Sequence, residues 1–436
     1  MDLRDKPVSL RKGIVSHFAR CCVASLLAAT ASTACRADLV GDPTLRVGSS
    51  GRYFVDGNGR PFFWQGDTEW ELFHLFSAPD AETLLAKRRD QGFNVVQVMV
   101  TGVYPEWDSM KGMKPWRETQ AWLDNNPLTP NEEYFMRVDA IVDMAARSGI
   151  VLVVGVYHAA DQDKGRITLQ NAKPWAEWLA TRYRHAGNVV WSMYPHAVAD
   201  SEPVIRATVE GLLEGGGEGH IITMHPDPSP KSSSFMHAER WLSFNTLQTW
   251  STGLANRDMV AADYARMPAK PVVDGEARYE GEDGTTPLEC RRAGYWACLA
   301  GGFYSYGHRD NWMSPPTWRQ WWDTPGASQI RVMGGVFRSL DWWKLVPDQA
   351  LIVNAAKGDV AARSADGDWI LAYLTGDTPV TIGIHGITGS KSAEGWWIDP
   401  LTGARTPIGR FPASGKRTFA PPSGCQDAVL LIKKSD

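Results

Sequence analysis

The sequence predicts an α/β fold, a (β/α)8 TIM barrel followed by a small antiparallel β-sandwich domain. Three observations predict it. Eight short apolar runs end in polar or aromatic clusters, the stretches between them carry helical periodicity, and beyond Leu345 that periodicity gives way to short strand-like runs punctuated by Gly, Pro and Asp. Strands separated by helices at intervals of roughly 30 residues build parallel βαβ units, and eight such units close a barrel. A doubly wound open sheet is the alternative, but no glycine-rich first turn marks a dinucleotide site.

A polar hairpin opens the folded region at Leu45 to Val55, with the turn Asp56-Gly57-Asn58-Gly59. The eight apolar runs then fall at 62–67, 95–100, 151–158, 189–193, 221–225, 241–245, 271–276 and 302–308. Between them, 81–91, 132–148, 175–185 and 203–213 show the spacing of amphipathic helices. Two stretches share the start Thr-Pro-x-Glu, Thr129 to Glu132 and Thr286 to Glu289. There Thr can cap, Pro fits the first turn and Glu can close a capping box. The glycine-rich run Gly215 to Gly219 stands between a helix and a strand, so it reads as a helix stop and loop ahead of a phosphate cradle. In the last segment, alternating runs at 369–374, 380–384, 395–398 and 428–432 predict the strands of the β-domain. The expected organisation is a leader over 1–37, the barrel with its N-terminal hairpin over 38–344 and the β-sandwich over 345–436.

The leader is read from its charges. Residues 1–37 hold Arg4, Lys6, Arg11, Lys12, Arg20 and Arg36 against Asp2 and Asp5, followed by a short stretch of small and apolar residues from Val23 to Ala34. A basic start, a short apolar core and small residues at Ser32-Thr33-Ala34 and Cys35-Arg36-Ala37 form the pattern of a secretory signal peptide. An exported, periplasmic or extracellular protein is expected, with a lipid anchor at Cys35 as an option. No transmembrane span is expected in the mature chain. Of six Cys, only Cys290, Cys298 and Cys425 lie beyond the leader. The first two sit eight positions apart on one predicted helix, about 12 Å along its axis, which is too far for a disulfide.

Composition narrows the function. The 436-residue chain has 45 basic and 49 acidic side chains, a net charge of -4, 43% apolar and 22% charged residues. This is an ordinary globular balance, and it offers no basic surface to nucleic acid. The unusual number is 20 Trp, more than a core alone requires, so some indoles should line a cleft.

In a barrel of this kind the chemistry sits at the C-terminal strand ends and the loops after them. Those positions hold Asp67 and Trp70, Tyr104 and Trp107, His158 and Asp161, Tyr194 and His196, His225 and Asp227, Gln248 and Trp250, Glu276 and Tyr279, and His308 and Trp312. Carboxylates, imidazoles and aromatic rings converging on one face suit a sugar, whose C–H faces stack on rings and whose hydroxyls take hydrogen bonds. The substrate expected is an oligosaccharide or polysaccharide, and two carboxylates beside the scissile bond would supply the acid and the nucleophile or base. Plainer roles compete: an ion pair of Glu276 with Arg278, an Asx turn at Asp67, and packing for Trp175, Trp178, Trp342 and Trp343. With no H-x-H on the first strand and no H-E-x-x-H, the four strand-end His suit hydroxyl binding better than a metal, and no cofactor is expected.

Several ordered motifs together resemble the apiosidase-like glycoside hydrolases. They are Trp64-Gln65-Gly66-Asp67-Thr68-x-Trp70, Asn188-Val189-Val190-Trp191, Ile222-Thr223-Met224-His225-Pro226, Ser232-Ser233-Ser234, Lys270-Pro271-Val272-Val273-Asp274-Gly275-Glu276-x-x-Tyr279-Glu280 and Tyr306-Gly307-His308. The tail Trp396-Trp397-Ile398-Asp399-Pro400-x-Thr402-Gly403 resembles the small β-domain that often follows that barrel. The resemblance implies hydrolysis of glycosidic bonds in plant or microbial polysaccharide breakdown, with Glu276 as one catalytic carboxylate and Asp67, His225 and Tyr279 in the sugar pocket. One departure stands out. Where such sequences carry an acidic residue soon after the Asn-x-x-Trp strand, this one reads Trp191-Ser192-Met193-Tyr194-Pro195-His196. Imidazole can move a proton but cannot act as a carboxylate nucleophile, so His196, Asp200 or Asp67 is expected as the partner of Glu276. A carbohydrate-binding pseudoenzyme that has lost hydrolysis is the alternative.

Overall fold

A three-stranded antiparallel sheet, β1 (Arg46–Val47), β2 (Phe54–Val55) and β3 (Pro61–Phe62), precedes the barrel. The Asp56–Gly59 turn is held by its own side chain, since Asp56 Oδ1 accepts from the amides of Asn58 and Arg60, both at 2.9 Å. Phe54 then packs against Trp64, Phe244 and Phe303 with centroids 5.2–5.5 Å apart. Those three rings stand at the N-terminal ends of barrel strands, so the hairpin plugs the end opposite the expected site. The computed structural model describes residues 43–103, 116–159, 163, 165–194, 198–216, 219–226, 231–314 and 316–435. The leader with Cys35, and Tyr104, Trp107, Asp161, His196 and Asp227, lie outside the described residues, as does the side chain of Asp200.

The barrel strands are β4 (Gln65–Thr68), β5 (Val95–Met99), β6 (Val151–His158), β7 (Val189–Tyr194), β8 (Asn245–Leu247), β9 (Val272–Asp274) and β10 (Phe303–Ser305). They pair in parallel in the order β7-β6-β5-β4-β10-β9-β8. The run at 221–225 closes the gap between β7 and β8. His225 N donates to Met193 O at 2.8 Å and Thr223 N to Trp191 O at 2.8 Å, while Ser243 N donates to Ile222 O at 2.8 Å on the other side. This fifth position is an extended segment in place of a regular strand because a side chain enters the ladder: Ile222 N donates to Ser243 Oγ at 3.1 Å.

Outside the sheet run the helices Ala78–Asp90, Glu132–Arg147, Ala172–Tyr183, Val198–Glu214, Ala255–Tyr264, Pro287–Leu299 and Pro325–Arg338, joined by shorter ones. The start at Thr286 is a capping box as expected, with Thr286 Oγ1 accepting from Glu289 N at 3.3 Å and Glu289 Oε2 accepting from Thr286 N at 2.8 Å. The start at Thr129 is different. Asn131 caps that helix, its Oδ1 accepting from Glu133 N at 3.2 Å, and Thr129 Oγ1 donates to the carbonyl of Leu123 in the preceding loop. Asn is the stronger cap and stands one residue before the helix, which displaces the Thr.

The β-domain is a six-stranded antiparallel sheet in the order β11-β12-β13-β18-β15-β16, packed against the two-stranded β14-β17. Its strands are β11 (Leu345–Pro347), β12 (Val360–Ser364), β13 (Trp369–Leu374), β14 (Val380–Gly383), β15 (Ser392–Ile398), β16 (Arg405–Pro412), β17 (Lys416–Phe419) and β18 (Ala428–Ser435). Alternation along β13 sorts its side chains: Trp369, Leu371 and Tyr373 join the barrel-side core, and Ile370, Ala372 and Leu374 join the core of the β-domain itself. Both faces of β13 are therefore buried. The helix Pro287–Leu299 makes the junction, with Tyr295 stacked on Tyr373 at 4.5 Å and Arg291 donating to both oxygens of Asp427 at 2.8 Å. Cys290, Cys298 and Cys425 are free thiols, and among the described residues no helix is long and apolar enough to cross a membrane.

Candidate active site

Glu276 stands two residues past the end of β9, at the C-terminal mouth of the barrel, and is 8% exposed. Its Oε1 accepts from the Tyr279 hydroxyl at 2.7 Å, and that hydroxyl in turn accepts from Trp70 Nε1 at 3.0 Å. The spacing from 276 to 279 turns the chain back on itself, so the phenol reaches its own strand-end carboxylate. Burial, with the negative charge of Glu276 next, holds the Tyr279 hydroxyl well above its ordinary pKa, so it remains a donor. On the other side His225 Nε2 stands 3.3 Å from Glu276 Oε2. Burial pushes the imidazole down to about 3, so the ring beside Glu276 is neutral and the contact is not an ion pair.

The rings form one column. Tyr194, at the end of β7, stacks on His225 at 4.5 Å and on His158, the last residue of β6, at 5.8 Å. Trp70 meets both Tyr194 and His225 edge to face at 5.2 and 6.1 Å. Trp70, Met99, Val103, Tyr194, Tyr279, Trp312 and Met313 make a separate buried cluster that walls the mouth. Trp70 and Trp312, each 4% exposed, therefore pack within the wall, whereas Trp250 is half-buried and keeps surface for a ligand.

Trp250 is held in an uncommon conformation, with φ of 44° in a residue that carries a side chain. Its N donates to Glu276 O at 3.1 Å and its ring meets Tyr279 edge to face at 5.9 Å. The preceding Thr249 donates to the buried carboxyl of Asp274 at 3.0 Å, and Asn256 donates to the same group. Burial raises that carboxyl to about 7. A left-handed conformation outside glycine persists only where its surroundings over-determine it, and such residues gather at ligand sites. Sequence reading did not single out Asp274, although it stands two positions before Glu276.

The structure thus brings together Glu276, Tyr279, His225, His158, Trp70, Tyr194, Trp250 and Trp312. Gln248 directly follows β8 and is half-buried. His308 serves as a cap, its Nδ1 accepting from Asp310 N at 3.2 Å, and its ring stacks on Trp321 at 5.4 Å. Asp67 is placed elsewhere. The pleat of β4 turns Gly66 and Thr68 into the barrel, where Thr68 accepts from Gln97, and turns Asp67 outward onto the helix Ala78–Asp90. There its Oδ2 pairs with Arg88 Nε at 2.5 Å, beside Glu69, with all three side chains 0% exposed.

Tyr279→Phe removes the donor to Glu276. A hydrogen bond to a charged group contributes about 1.5–3 kcal/mol, so a fall in kcat of roughly tenfold or more is expected. Steady-state hydrolysis measures it, and an unchanged kcat would remove Tyr279 from any role in holding the carboxylate.

Comparison with known proteins agrees with this geometry. Residues 48–344 match the family described as the apiosidase-like catalytic domain, and residues 346–433 match a "Putative collagen-binding domain of a collagenase". Among solved structures, a glycoside hydrolase of family 5 from Bacteroides vulgatus is similar, with 25% identity, a TM-score of 0.81, and coverage of 90% of this chain and 93% of that one. A second, described only as a glycoside hydrolase, has 24% identity and a TM-score of 0.77, covering 90% of this chain and 97% of that one. No curated protein matches. With the family match spanning the whole barrel and a strand-end carboxylate held in an aromatic mouth, the chain belongs to the apiosidase-like family and is a glycosidase.

Proposed function

We propose that the protein is an exported, apiosidase-like glycosidase that acts on side chains of plant or microbial polysaccharides. Glu276 is one catalytic carboxylate, and the segment after β7, with His196 and Asp200, supplies its partner. The observation that carries this reading is the setting of Glu276, oriented by Tyr279 on one oxygen and flanked by neutral His225 on the other. A carboxylate oriented by a hydrogen bond in a buried mouth is ready to attack an anomeric carbon or to activate water, and the half-buried Trp250 beside it offers a face for the sugar ring. Asp67 faces away from the mouth, which favours the segment after β7 as the source of the second group.

The partner is tested by His196→Glu. The change puts an acidic residue where the family pattern carries one, and we expect hydrolysis of apiose-, arabinose- or rhamnose-containing oligosaccharides to rise about tenfold. Unchanged turnover would remove position 196 from the mechanism. Saturable sugar binding with no turnover in either protein would favour the carbohydrate-binding pseudoenzyme.

A further inference from the structure

Among the described residues, two exposed guanidinium groups and a third behind them, none with a carboxylate partner, gather on the flank of the barrel, near the end opposite Glu276. A groove of about 700 Å³ runs there, lined by Lys87 and Gln91, by Arg331 and Gly335 on the helix Pro325–Arg338, and by Thr402 and Arg405 of the β-domain. Positions 331, 335 and 338 share one face of that helix. Gly335 leaves the middle of the face open, with no atom within 4 Å of the place a Cβ would take. Arg405 enters from the β-domain, and its Nη2 donates to Ser339 Oγ at 2.8 Å. The acidic residues of the groove are already engaged, Asp323 by Lys87 at 2.5 Å and Asp90 by Arg89 at 3.0 Å. Among the described residues Arg331, Arg338 and Arg405 pair with no carboxylate.

Behind the residues that line the groove the positive charge continues. Around Gly92, Nη2 of Arg338 lies 3.2 Å, and Cγ of Arg331 and Nε2 of Gln65 each 3.7 Å, from the place of a Cβ. Gln65, turned outward by the same pleat as Asp67, is 1% exposed and its amide makes no hydrogen bond. Arg338 lies over the ring of Phe63 at 5.8 Å, and burial, with the charge of Arg331 next, lowers its pKa to about 10. A desolvated guanidinium with no carboxylate beside it is costly, and an oxyanion held in the groove lowers that cost.

We propose that this groove is a second carbohydrate site that takes an oligosaccharide bearing carboxylate groups. The planar fork of arginine matches a carboxylate, and a sugar chain laid in the groove would touch barrel and β-domain at once. The oxyanion follows from the arginines alone, and the choice of a sugar as its carrier rests on the glycosidase reading.

The test uses the full chain carrying Glu276→Gln, titrated calorimetrically with a galacturonate oligosaccharide, an uncharged xylose oligosaccharide of equal length, and inorganic phosphate. Saturable binding of the acidic chain is expected, about tenfold tighter than the neutral one and weakened by salt. Adding Arg331→Ala with Arg405→Ala should weaken it about tenfold again. Both arginines are exposed, and Gly335→Glu supplies a second variant that keeps them and places a repelling carboxylate on the open floor. Acidic-chain affinity untouched by these changes, equal affinity for the neutral chain, phosphate binding as tightly as the oligosaccharide, or no saturable binding would each overturn the proposal. Failure of the glycosidase reading shows separately, as absent turnover in the protein that retains Glu276.

Discussion

Replacing Glu276 with Gln is expected to lower kcat by about 10³-fold while the melting transition and sugar affinity stay near those of the parent. The substitution is close to isosteric. The amide oxygen can still accept from Tyr279, and the amide nitrogen can face His225, whose neutral ring offers an acceptor nitrogen. What is lost is the negative charge and the lone pair that would attack carbon or take a proton. Such a change acts in the transition state alone, so the loss falls in kcat and kcat/KM together with KM little altered. The measurement is steady-state hydrolysis with the glycoside found by substrate screening, alongside a thermal melt. An unchanged kcat would take Glu276 out of the mechanism, and a raised KM with unchanged kcat would reduce it to a binding group.

The reasons that this site was legible, and the places where it was not, are physical. Barrel strands are buried on both faces and read as continuous apolar runs, and each run ends where the polar mouth begins. Glu276, Tyr279 and His225 follow such runs directly. The same signal does not say which way a strand-end side chain points. In β4 the order Gln65-Gly66-Asp67-Thr68 places the two small inward positions at Gly66 and Thr68, so Asp67 faces a helix although it ends the run as Glu276 does. A shift of one residue in the pleat reverses this, and composition carries no register. The indole surplus misled in a related way. Trp70 and Trp312 follow strand ends, but a mouth built of large rings buries most of them against one another. In the β-domain, β13 and β18 lack clean alternation because one face meets the barrel and the other meets β14 and β17.

Arg88 gave no sequence signal at all, since a charged residue on an amphipathic helix ordinarily faces water. In the structure it is 0% exposed between Asp67 and Glu69, and it also donates to Gln91 at 2.8 Å and to the carbonyl of Trp322 at 3.1 Å. Burial raises the pKa of both carboxyls despite the neighbouring guanidinium, and Glu69, further raised by the charge of Asp67, goes well above the carboxylate range. Two buried carboxyls thus face one arginine, and protonation of either brings the cluster closer to neutral. Arg88→Leu removes the only positive charge in this contact and is expected to destabilise the fold by about 3–5 kcal/mol at neutral pH, measured by denaturant unfolding.

The sign of the pH dependence is a second check. Without Arg88 both folded-state pKa values rise further above their unfolded values, and a group with a raised folded pKa loses its contribution as pH climbs through that value. The deficit of the variant should thus be smaller at about pH 5, where protonation of the second carboxyl costs less, than at about pH 8. Adding Asp67→Asn and Glu69→Gln to Arg88→Leu should recover part of the loss and flatten its pH dependence. The consequence reaches the mouth, because Asn311 donates to Glu69 from the short helix that carries Trp312. A deficit below about 1 kcal/mol in Arg88→Leu, or one equal at both pH values, would mean that water already screens the cluster.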